Sequence, residues 1–382
     1  MMIEKIECHY PGRSYSNEEL GQILYNKDKE LSDVLVNLGG KHFLDEIKSS
    51  PQFFENLGVE RRNILCDPTD VMGWWEKNAG TDPFALEAAK SYEQLMQNEP
   101  PLTAEDRIIV IANSVDTVSP HIGYAMLAHL QKRNEGFVMP SVIALLGEGC
   151  SGFISGLREA HIYIQAKPNA RVVVVTAEMM ATPLLNPWAQ PKLVKHVKNA
   201  SEEDKDMFRR RLTGLCIQRY LFGEGCAAAL CANEGKGIHF THYFRWANLD
   251  PDDINLLELA ATNTKKPPHL PPFGFFSQQP KKLINRLAES YFPAAQVELA
   301  KINLDEHFFA IHTGSGKILN QVQTALQLSE EKIAPSKYIL NNYGNMNATT
   351  GAAILAKLLS EKKNRNIVAI FFGLGFALQL AY

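Results

Sequence analysis

The stretch "SVIALLGEGCSGFISGLREAHIYIQ", from Ser141 to Gln165, decides the fold. It begins with an apolar, β-branched run typical of a buried strand and continues after Cys150 with a helix-like pattern. Gly149 and Gly152 allow the chain to turn tightly between these two elements. A strand that passes through a glycine turn into a helix indicates an α/β protein with a cysteine at the junction.

The same alternation of strands and helices continues along the chain. Short, apolar, β-branched runs predict further buried strands at residues 107–114, 171–177, 307–312, 337–340 and 366–372. Helical patterns lie between them, at residues 82–97, 122–133, 151–166, 317–328 and 349–363. This order predicts an α/β protein whose buried sheets are covered by helices. Two proline-containing stretches, 181–220 and 264–280, interrupt it and are expected to be insertions over the core, either lids or interface loops.

Two windows of the chain share one pattern, which predicts an internal duplication. One runs from Ser141 to Ala177 through Cys150, and the other runs from Ser336 to Phe372 through Asn345. In each window, nine positions lead to the cysteine or the asparagine, and 21 more lead to the next apolar strand. Two packed halves would bring Cys150 and Asn345 together beside a cleft.

We therefore expect two halves. Residues 1–200 carry Cys150, and residues 201–382 carry His312 and Asn345.

The composition bounds the class of protein. The 382 residues are 45% hydrophobic and 21% charged, with a net charge of −3, which indicates a globular protein and argues against a nucleic-acid binder or a basic membrane-surface protein. A membrane span is not expected, since no run of about 18 apolar residues occurs. The acid-containing start of the sequence and six cysteines without a C-x-x-C pair favour the reducing cytoplasm. Cys226 and Cys231 are expected to be buried apolar residues rather than zinc ligands.

Cys150 has two equally supported interpretations on the local motif alone. The N–H groups and the dipole of a following helix favour a thiolate and are expected to lower the pKa of the thiol, as a nucleophile for acyl transfer requires. The alternative is a small buried residue at a packed helix start.

His312 leaves a predicted strand into the small-residue loop "HTGSG", from which its ring could polarise a thioester carbonyl or stabilise an enolate. Taken alone, a structural histidine is the better interpretation, and His121 and His307 compete with it. Asn345, in "NNYGNMNATTG", would most often be a helix N-cap, but its amide could donate to an oxyanion. The register of the duplication distinguishes Asn345 from its neighbouring asparagines.

Two clusters of arginines are expected to be solvated. These are Arg209 to Arg211 and the pair Arg61 and Arg62, and either could bind the phosphate of a pantetheine carrier. Gly373 and Gly375 are expected to form a packed turn beside the site rather than a phosphate-binding loop.

Several motifs together resemble the thiolase-fold condensing enzymes, and most of all the β-ketoacyl-carrier-protein synthases III and the type III polyketide synthases. They are "GCSGF", "LFGEGCAAAL", "IHTGSGKILNQV" and "YGNMNATTGAAIL", with "YPGRSYSNEEL", "LGVERRNI" and "GTDPFALEAA" near the start. The resemblance covers nearly the whole chain. It implies a duplicated five-layer α/β/α/β/α fold, which agrees with the predicted repeat.

The resemblance also implies roles for individual residues. The family's nucleophile falls on Cys150, its catalytic histidine on His312 and its asparagine on Asn345. Phe222 matches a phenylalanine at the mouth of the pocket, and Phe273 is a weaker match to a second one. Arg62 is the remaining candidate for substrate binding.

The sequence departs from the polyketide branch at three places. Glu224 stands where that branch usually has aspartate, and the loops "HTGSG" and "GLGFALQ" lack the usual prolines. Thiolases proper carry a second catalytic cysteine in the C-terminal loop, and no cysteine lies near Gly373 in this sequence.

The predicted function is that of a condensing acyltransferase of fatty acid or polyketide biosynthesis. Cys150 would accept an acyl group from coenzyme A or an acyl carrier protein, and His312 and Asn345 would stabilise the enolate of a decarboxylating malonyl thioester. No metal or redox cofactor is implied, and a homodimer is expected from the family. Two alternatives remain: an acyltransferase that passes the acyl group to an alcohol or amine without elongation, and a non-catalytic partner subunit of a synthase pair.

Overall fold

Strands alternate with helices along most of the chain. The computed structural model describes residues 1–50, 52–78, 81–113, 120–134, 137–185, 189–199, 201–247, 250, 257–259, 276–278, 285–312, 314–361, 366–373 and 377–382. The strands are β1 (Met2–His9), β2 (Arg13–Ser16), β3 (Arg61–Ile64), β4 (Arg107–Ala112), β5 (Ser141–Leu146), β6 (Val172–Met179), β7 (Glu224–Ala232), β8 (Ile238–His239), β9 (Tyr243–Ala247), β10 (Leu257–Leu259), β11 (Phe276–Gln278), β12 (His307–Ile311), β13 (Asn366–Phe372) and β14 (Ala377–Ala381).

The helices have the following bounds: α1 (Asn17–Asn37), α2 (Phe43–Ser49), α3 (Gln52–Leu57), α4 (Val71–Lys77), α5 (Pro83–Met96), α6 (Ile122–Arg133), α7 (Gly152–Ala166), α8 (Ala181–Leu184), α9 (Ala189–Lys198), α10 (Glu202–Leu221), α11 (Phe292–Leu299), α12 (Gly316–Ala325), α13 (Glu330–Tyr343) and α14 (Ala348–Glu361). A 3-10 turn, Gly149–Ser151, precedes α7.

The first sheet has the strand order β5-β4-β6-β7-β1-β8 among the described residues. β4 pairs in parallel with β5 and β6, because a helix lies between the consecutive strands β4 and β5 and between β5 and β6. β7 is antiparallel to both β6 and β1. Since β7 and β8 follow residue 200, the strands of this sheet continue past the expected boundary of the halves, and the change of sheet falls between β8 and β9.

The second sheet has the order β12-β13-β14-β9 within the described segments. β12 and β13 are parallel, with Ile311 opposite Ile370, and β14 is antiparallel to both β13 and β9. The parallel pair places the carboxyl ends of β12 and β13 at the same edge of the sheet. His312 and Gly373 follow directly at this edge.

The two sheets enclose α7 and α14. Side chains alternate along each strand, so that Ile109 and Ile111 of β4 pack with these two helices while Ile108 and Val110 pack outward with α5 and α6. On the second sheet, Val368 and Ile370 face outward, toward α11, α12 and α13. The predicted five-layer α/β/α/β/α order is thus confirmed.

A further cluster covers one side of the layers. Helix α1 packs there with α8, α9 and α10, and Leu20, Leu31 and Leu215 are buried between them. Most of the stretch 181–220, which we expected to be a loop-like insertion, is therefore helical. The other expected insertion, 264–280, lies largely outside the described residues.

One predicted strand is wrong. Residues 337–340, "KYIL", belong to α13, where Ile333, Ser336, Ile339 and Leu340 form one buried face and Tyr338 is exposed. This three- and four-residue spacing is helical, and four apolar letters were too few to distinguish it from a strand. The two windows of the proposed duplication therefore differ before their key residue.

None of the helices in the described part of the chain has the length and apolar character needed to cross a bilayer.

Candidate active site

Cys150 lies in the middle of the 3-10 turn that leads into α7, as the sequence predicted. Gly149 has φ +56°, a left-handed conformation that glycine adopts without strain. Gly152 lies directly on the first sheet, since a methyl group added there would come within 2.7 Å of Ile111 Cγ2. The two glycines therefore let the turn approach the carboxyl end of β4 closely.

Two polar residues that the sequence analysis did not single out hold this turn. Asn113 accepts a hydrogen bond from the Gly149 N–H through Oδ1 (2.7 Å), and its Nδ2 donates to the Gly149 carbonyl (3.3 Å). Glu178 in turn accepts from the Asn113 backbone N–H (3.1 Å) and from Asn113 Nδ2. Asn113 follows β4, and Glu178 is the penultimate residue of the neighbouring parallel strand β6. In the sequence, the position of these two polar residues at the ends of predicted strands was the signal that could have identified them.

The Cys150 thiol is in its neutral form. Burial raises its pKa well above the ordinary value, and the charge of the Glu178 carboxylate raises it further. Desolvation of the thiolate thus opposes the lowering of this pKa that was expected from the helix start. A base must remove the proton before the sulfur can attack.

His312, the second predicted site residue, lies at the carboxyl end of β12. It follows β12, its backbone N–H donates to the Ile370 carbonyl (3.0 Å), and its ring lies edge-on to Phe371 with centroids 6.4 Å apart. Only 2% of His312 is exposed, and burial lowers its pKa to about 3, so the imidazole is neutral. Neither ring nitrogen has a hydrogen-bond partner among the described residues.

The competing histidines have structural partners. His121 caps α6 by accepting a hydrogen bond from the Gly123 N–H through Nδ1 (3.1 Å). The Nδ1 of His307 lies 2.7 Å from the Asn303 carbonyl oxygen, to which it donates. His312 is thus the histidine of these three whose ring remains available.

Asn345 lies between α13 and α14 and is buried. Its Oδ1 accepts a hydrogen bond from the Asn347 N–H (2.9 Å), which closes a local turn. The Asn345 Nδ2 group makes no hydrogen bond to any described residue. The neighbouring Asn342 is turned to its own helix, where its Nδ2 donates to the Tyr338 carbonyl (2.9 Å). Asn345 therefore retains an amide donor, which an enolate oxygen requires.

Contacts between the two halves join the segments around these three residues. Gly373, at the end of β13, leaves so little space that a methyl group on it would lie 2.2 Å from Ser151 Oγ. A methyl group on Gly152 would lie 3.5 Å from the Cβ of Ala348, at the start of α14. The chain that carries Cys150 is thus in contact with the strand beside His312 and with the helix that follows Asn345.

Of the three candidates for substrate binding, Phe222 lies beside the site. It is buried and forms a parallel β-bridge with Asn345. Phe273 lies outside the described residues. Arg62 is not solvated as expected: it is fully buried, donates to the Tyr220 carbonyl (2.8 Å) and to Asn17 Oδ1, and burial lowers its pKa to about 10. A side chain that is closed off in this way cannot contact a phosphate at the surface, whereas Arg61 remains partly exposed.

Glu224, the departure from the polyketide pattern, is also buried. Its carboxylate accepts hydrogen bonds from the Thr182 N–H (2.5 Å), from Thr182 Oγ1 (3.0 Å) and from the Leu65 N–H. Desolvation nevertheless raises its pKa to about 7. Glu224 joins β7 to α8 and to the residue after β3, and so supports the strand that follows Phe222.

Comparisons with known proteins find similar sequences over part of the chain. Residues 273–382, which contain His312 and Asn345, match the family "Chalcone and stilbene synthases, C-terminal domain". Type III polyketide synthase B of Arabidopsis thaliana is 27% identical over 230 residues, which cover 57% of this chain and 51% of the relative. A putative chalcone synthase of Bacillus subtilis is 29% identical over 216 residues, covering 54% of this chain and 51% of the relative. The chain spans about half the length of the curated relatives it matches.

Solved structures establish the fold. 1,3,6,8-Tetrahydroxynaphthalene synthase from Streptomyces coelicolor superposes with a TM-score of 0.70 at 17% identity, covering 100% of this chain and 98% of that one. PKS-I from the brown alga Ectocarpus siliculosus gives a TM-score of 0.71 at 16% identity, covering 100% and 97%. The protein therefore has the thiolase fold of the condensing enzymes. The similar sequences and structures are type III polyketide synthases and chalcone synthases, which agrees with the predicted resemblance.

Proposed function

We propose that the protein is a condensing acyltransferase that joins an acyl group to a malonyl-type thioester. The observation that carries this proposal is the neutral, buried His312, which has two unpartnered ring nitrogens. It belongs to the same contact region as the Cys150 turn and Asn345. The set contains a nucleophile, a base and an amide donor, and it lacks the acidic third member that suits water activation.

In the first half-reaction, a ring nitrogen of His312 takes the proton of the Cys150 thiol. The sulfur attacks the carbonyl carbon of an acyl thioester, the carbon–sulfur bond to the carrier breaks, and the carrier thiol leaves with a proton. The product is an acyl-Cys150. Burial of the thiol disfavours the charged form until substrate and base are both in place.

In the second half-reaction, a malonyl thioester loses carbon dioxide, and the electron pair of the broken bond moves onto the thioester oxygen as an enolate. The His312 ring N–H and the Asn345 amide donate hydrogen bonds to that oxygen. The carbanion then attacks the acyl-Cys150 carbonyl, a carbon–carbon bond forms, and the sulfur leaves as a thiolate. The product is a β-ketoacyl thioester of fatty acid or polyketide biosynthesis.

Coenzyme A thioesters are the proposed acyl and malonyl donors, with acyl carrier protein as the alternative carrier. A homodimer is proposed as well. It is supported by the edge strand β5, whose six residues, apolar except for Ser141, are all half-buried and whose outer side pairs with no described strand. All six cysteines are free, which supports the proposed cytoplasmic location.

The experiment that tests the proposal is intact-protein mass spectrometry after incubation with a panel of acyl-CoAs, with Cys150→Ala alongside. Acyl mass on the wild type alone supports Cys150 as the nucleophile. Carbon dioxide release from malonyl-CoA then distinguishes condensation from simple acyl transfer to an alcohol or amine. If no acyl-CoA and no acyl carrier protein gave an adduct, the proposed catalytic function would be overturned and the non-catalytic partner subunit would be favoured.

A further inference from the structure

Gln379, on the C-terminal strand β14, reaches across to the turn that carries Cys150. Its Nε2 lies 2.6 Å from Ser155 Oγ and 3.3 Å from Ser151 Oγ, and Gln379 is only 2% exposed. Ser151 directly follows the cysteine, and Ser155 is one turn further along α7. The side chain thus connects the second sheet to the end of the nucleophile's turn at Ser151 and to the first turn of α7 at Ser155.

The donors and acceptors in this hydrogen-bond network can be assigned, because two of its acceptor groups cannot donate. Ser151 Oγ donates to the Glu148 carbonyl (2.9 Å), and Ser155 Oγ donates to the Glu148 carboxylate (2.8 Å). Because a carbonyl and a carboxylate only accept, both hydroxyl hydrogens are used there. The two serine oxygens can therefore receive Gln379 only as a donor, and the amide supplies two N–H groups, one for each serine.

The same strand position connects to His312. Gln379 is paired in register with Phe371 on β13, and the ring of Phe371 is the one that lies edge-on to His312. A row of neighbouring residues therefore crosses the second sheet from His312 through Phe371 to Gln379. The hydrogen bond from Gln379 extends this row to Ser151, which is next to Cys150. Cys150 follows a strand of the first sheet and His312 follows a strand of the second, so contacts between the two sheets set the separation of the two residues.

We infer that Gln379 is a positioning residue that fixes the turn of Cys150 against the sheet of His312. The inference rests on the proposed function. Proton transfer from sulfur to imidazole needs hydrogen-bond reach, so a small shift of the turn slows acylation without removing any reacting group.

The test compares Gln379→Glu and Gln379→Leu with wild type. Gln296→Glu is the matched control. The Gln296 side-chain amide donates a comparable hydrogen bond to the Ala325 carbonyl (2.8 Å), but on the exposed outer layer, away from the site. The rate of acyl loading on Cys150 is measured by intact mass at pH 6 and pH 8, with thermal unfolding measured in parallel. We expect both Gln379 variants to load about tenfold to a hundredfold more slowly at pH 8, and Gln296→Glu to load like wild type.

The glutamate variant adds a second readout, the pH dependence of acyl loading, which a purely structural role of Gln379 would not change. A buried carboxyl group is protonated more readily than an exposed one, and the protonated acid has one O–H to donate. The loading rate of Gln379→Glu relative to wild type should therefore rise from pH 8 to pH 6, whereas that of Gln379→Leu should not. Equal loading by all variants would overturn the inference while leaving the proposed function intact. A wild type that accepts no acyl group would instead overturn the proposed function.

Discussion

Phe222 and Asn345 form a parallel β-bridge that connects the end of α10 to the segment between α13 and α14. The Gly223 N–H donates to the Asn345 carbonyl (3.1 Å), and the Asn345 N–H donates to the Leu221 carbonyl (2.9 Å). The backbone of Asn345 is thus held on both sides by bonds that do not involve its side chain. The amide can be changed while its place in the fold is kept.

Replacing Asn345 by aspartate should separate the two half-reactions. Asp retains an oxygen that accepts from the Asn347 N–H, but it removes the amide donor to the enolate. We expect decarboxylation of malonyl-CoA to fall by about a hundredfold or more, because the loss of one oxyanion donor has that order of effect. Acyl loading on Cys150 should persist. Carbon dioxide release and intact mass measure the two steps, with Asn342→Asp as control. Equal losses in both steps would argue against an enolate-specific role.

The buried His312 should make stability depend on pH. Its pKa of about 3 lies below the ordinary value of about 6.5, so the unfolded chain binds the proton more readily than the folded one. This contribution to the free energy of unfolding is complete above pH 6.5. It is lost as the pH falls toward 3, by at most about 1.4 kcal/mol per pH unit. Chemical denaturation of wild type and His312→Gln at pH 7, 6 and 5 measures it. Parallel pH dependences in both proteins would contradict the assignment.

Neutralising Glu178 should make Cys150 more reactive near neutral pH. The carboxylate raises the pKa of the thiol, second only to burial, so Glu178→Gln should move the midpoint of the alkylation profile to lower pH. Iodoacetamide labelling of Cys150 followed by peptide mass spectrometry gives the profile. Glu93→Gln, in a partly exposed pair with Arg133, provides the control. A midpoint that stays in place or rises would mean that the charge of Glu178 does not act on the sulfur.

The same substitution at the neighbours Arg61 and Arg62 should change stability by different amounts. Arg62→Met removes the donor to the buried Tyr220 carbonyl and should destabilise the protein by about 1–3 kcal/mol. Arg61→Met removes a partly exposed ion pair with Glu19 and should change stability by less than about 1 kcal/mol. Neither should weaken acyl-CoA binding specifically. A raised KM for acyl-CoA in folded Arg62→Met would restore the phosphate-binding hypothesis.

The layered fold could be predicted from the sequence because its strands are long apolar runs that sheets bury on both faces. The run 366–372 is a strand over all seven residues, and Ser141–Leu146 is found as predicted. Residues 337–340 were assigned wrongly because Ile339 and Leu340 lie three and four positions after the buried Ser336, a spacing that fits a helix equally well. A four-residue window does not contain that longer period.

The candidate site could be predicted only in part. Cys150, His312 and Asn345 stand in recognisable motifs, and each lies just after the end of a strand or a helix. Gln379 could not be found in this way, because its role depends on which strand it pairs with and on the serines that face it. The buried state of Arg62 depends likewise on the packing of α10 over β3, which no local pattern encodes.

The membership of β7 in the first sheet has a consequence for dividing the protein. A cut at residue 200 would separate β7 from β6 and β1, its neighbours on both sides, and expose two rows of unpaired backbone groups. A cut between β8 and β9 leaves the pairing within each sheet whole. If two fragments are expressed together, those divided between His239 and Tyr243 should reassemble, whereas those divided at residue 200 should precipitate.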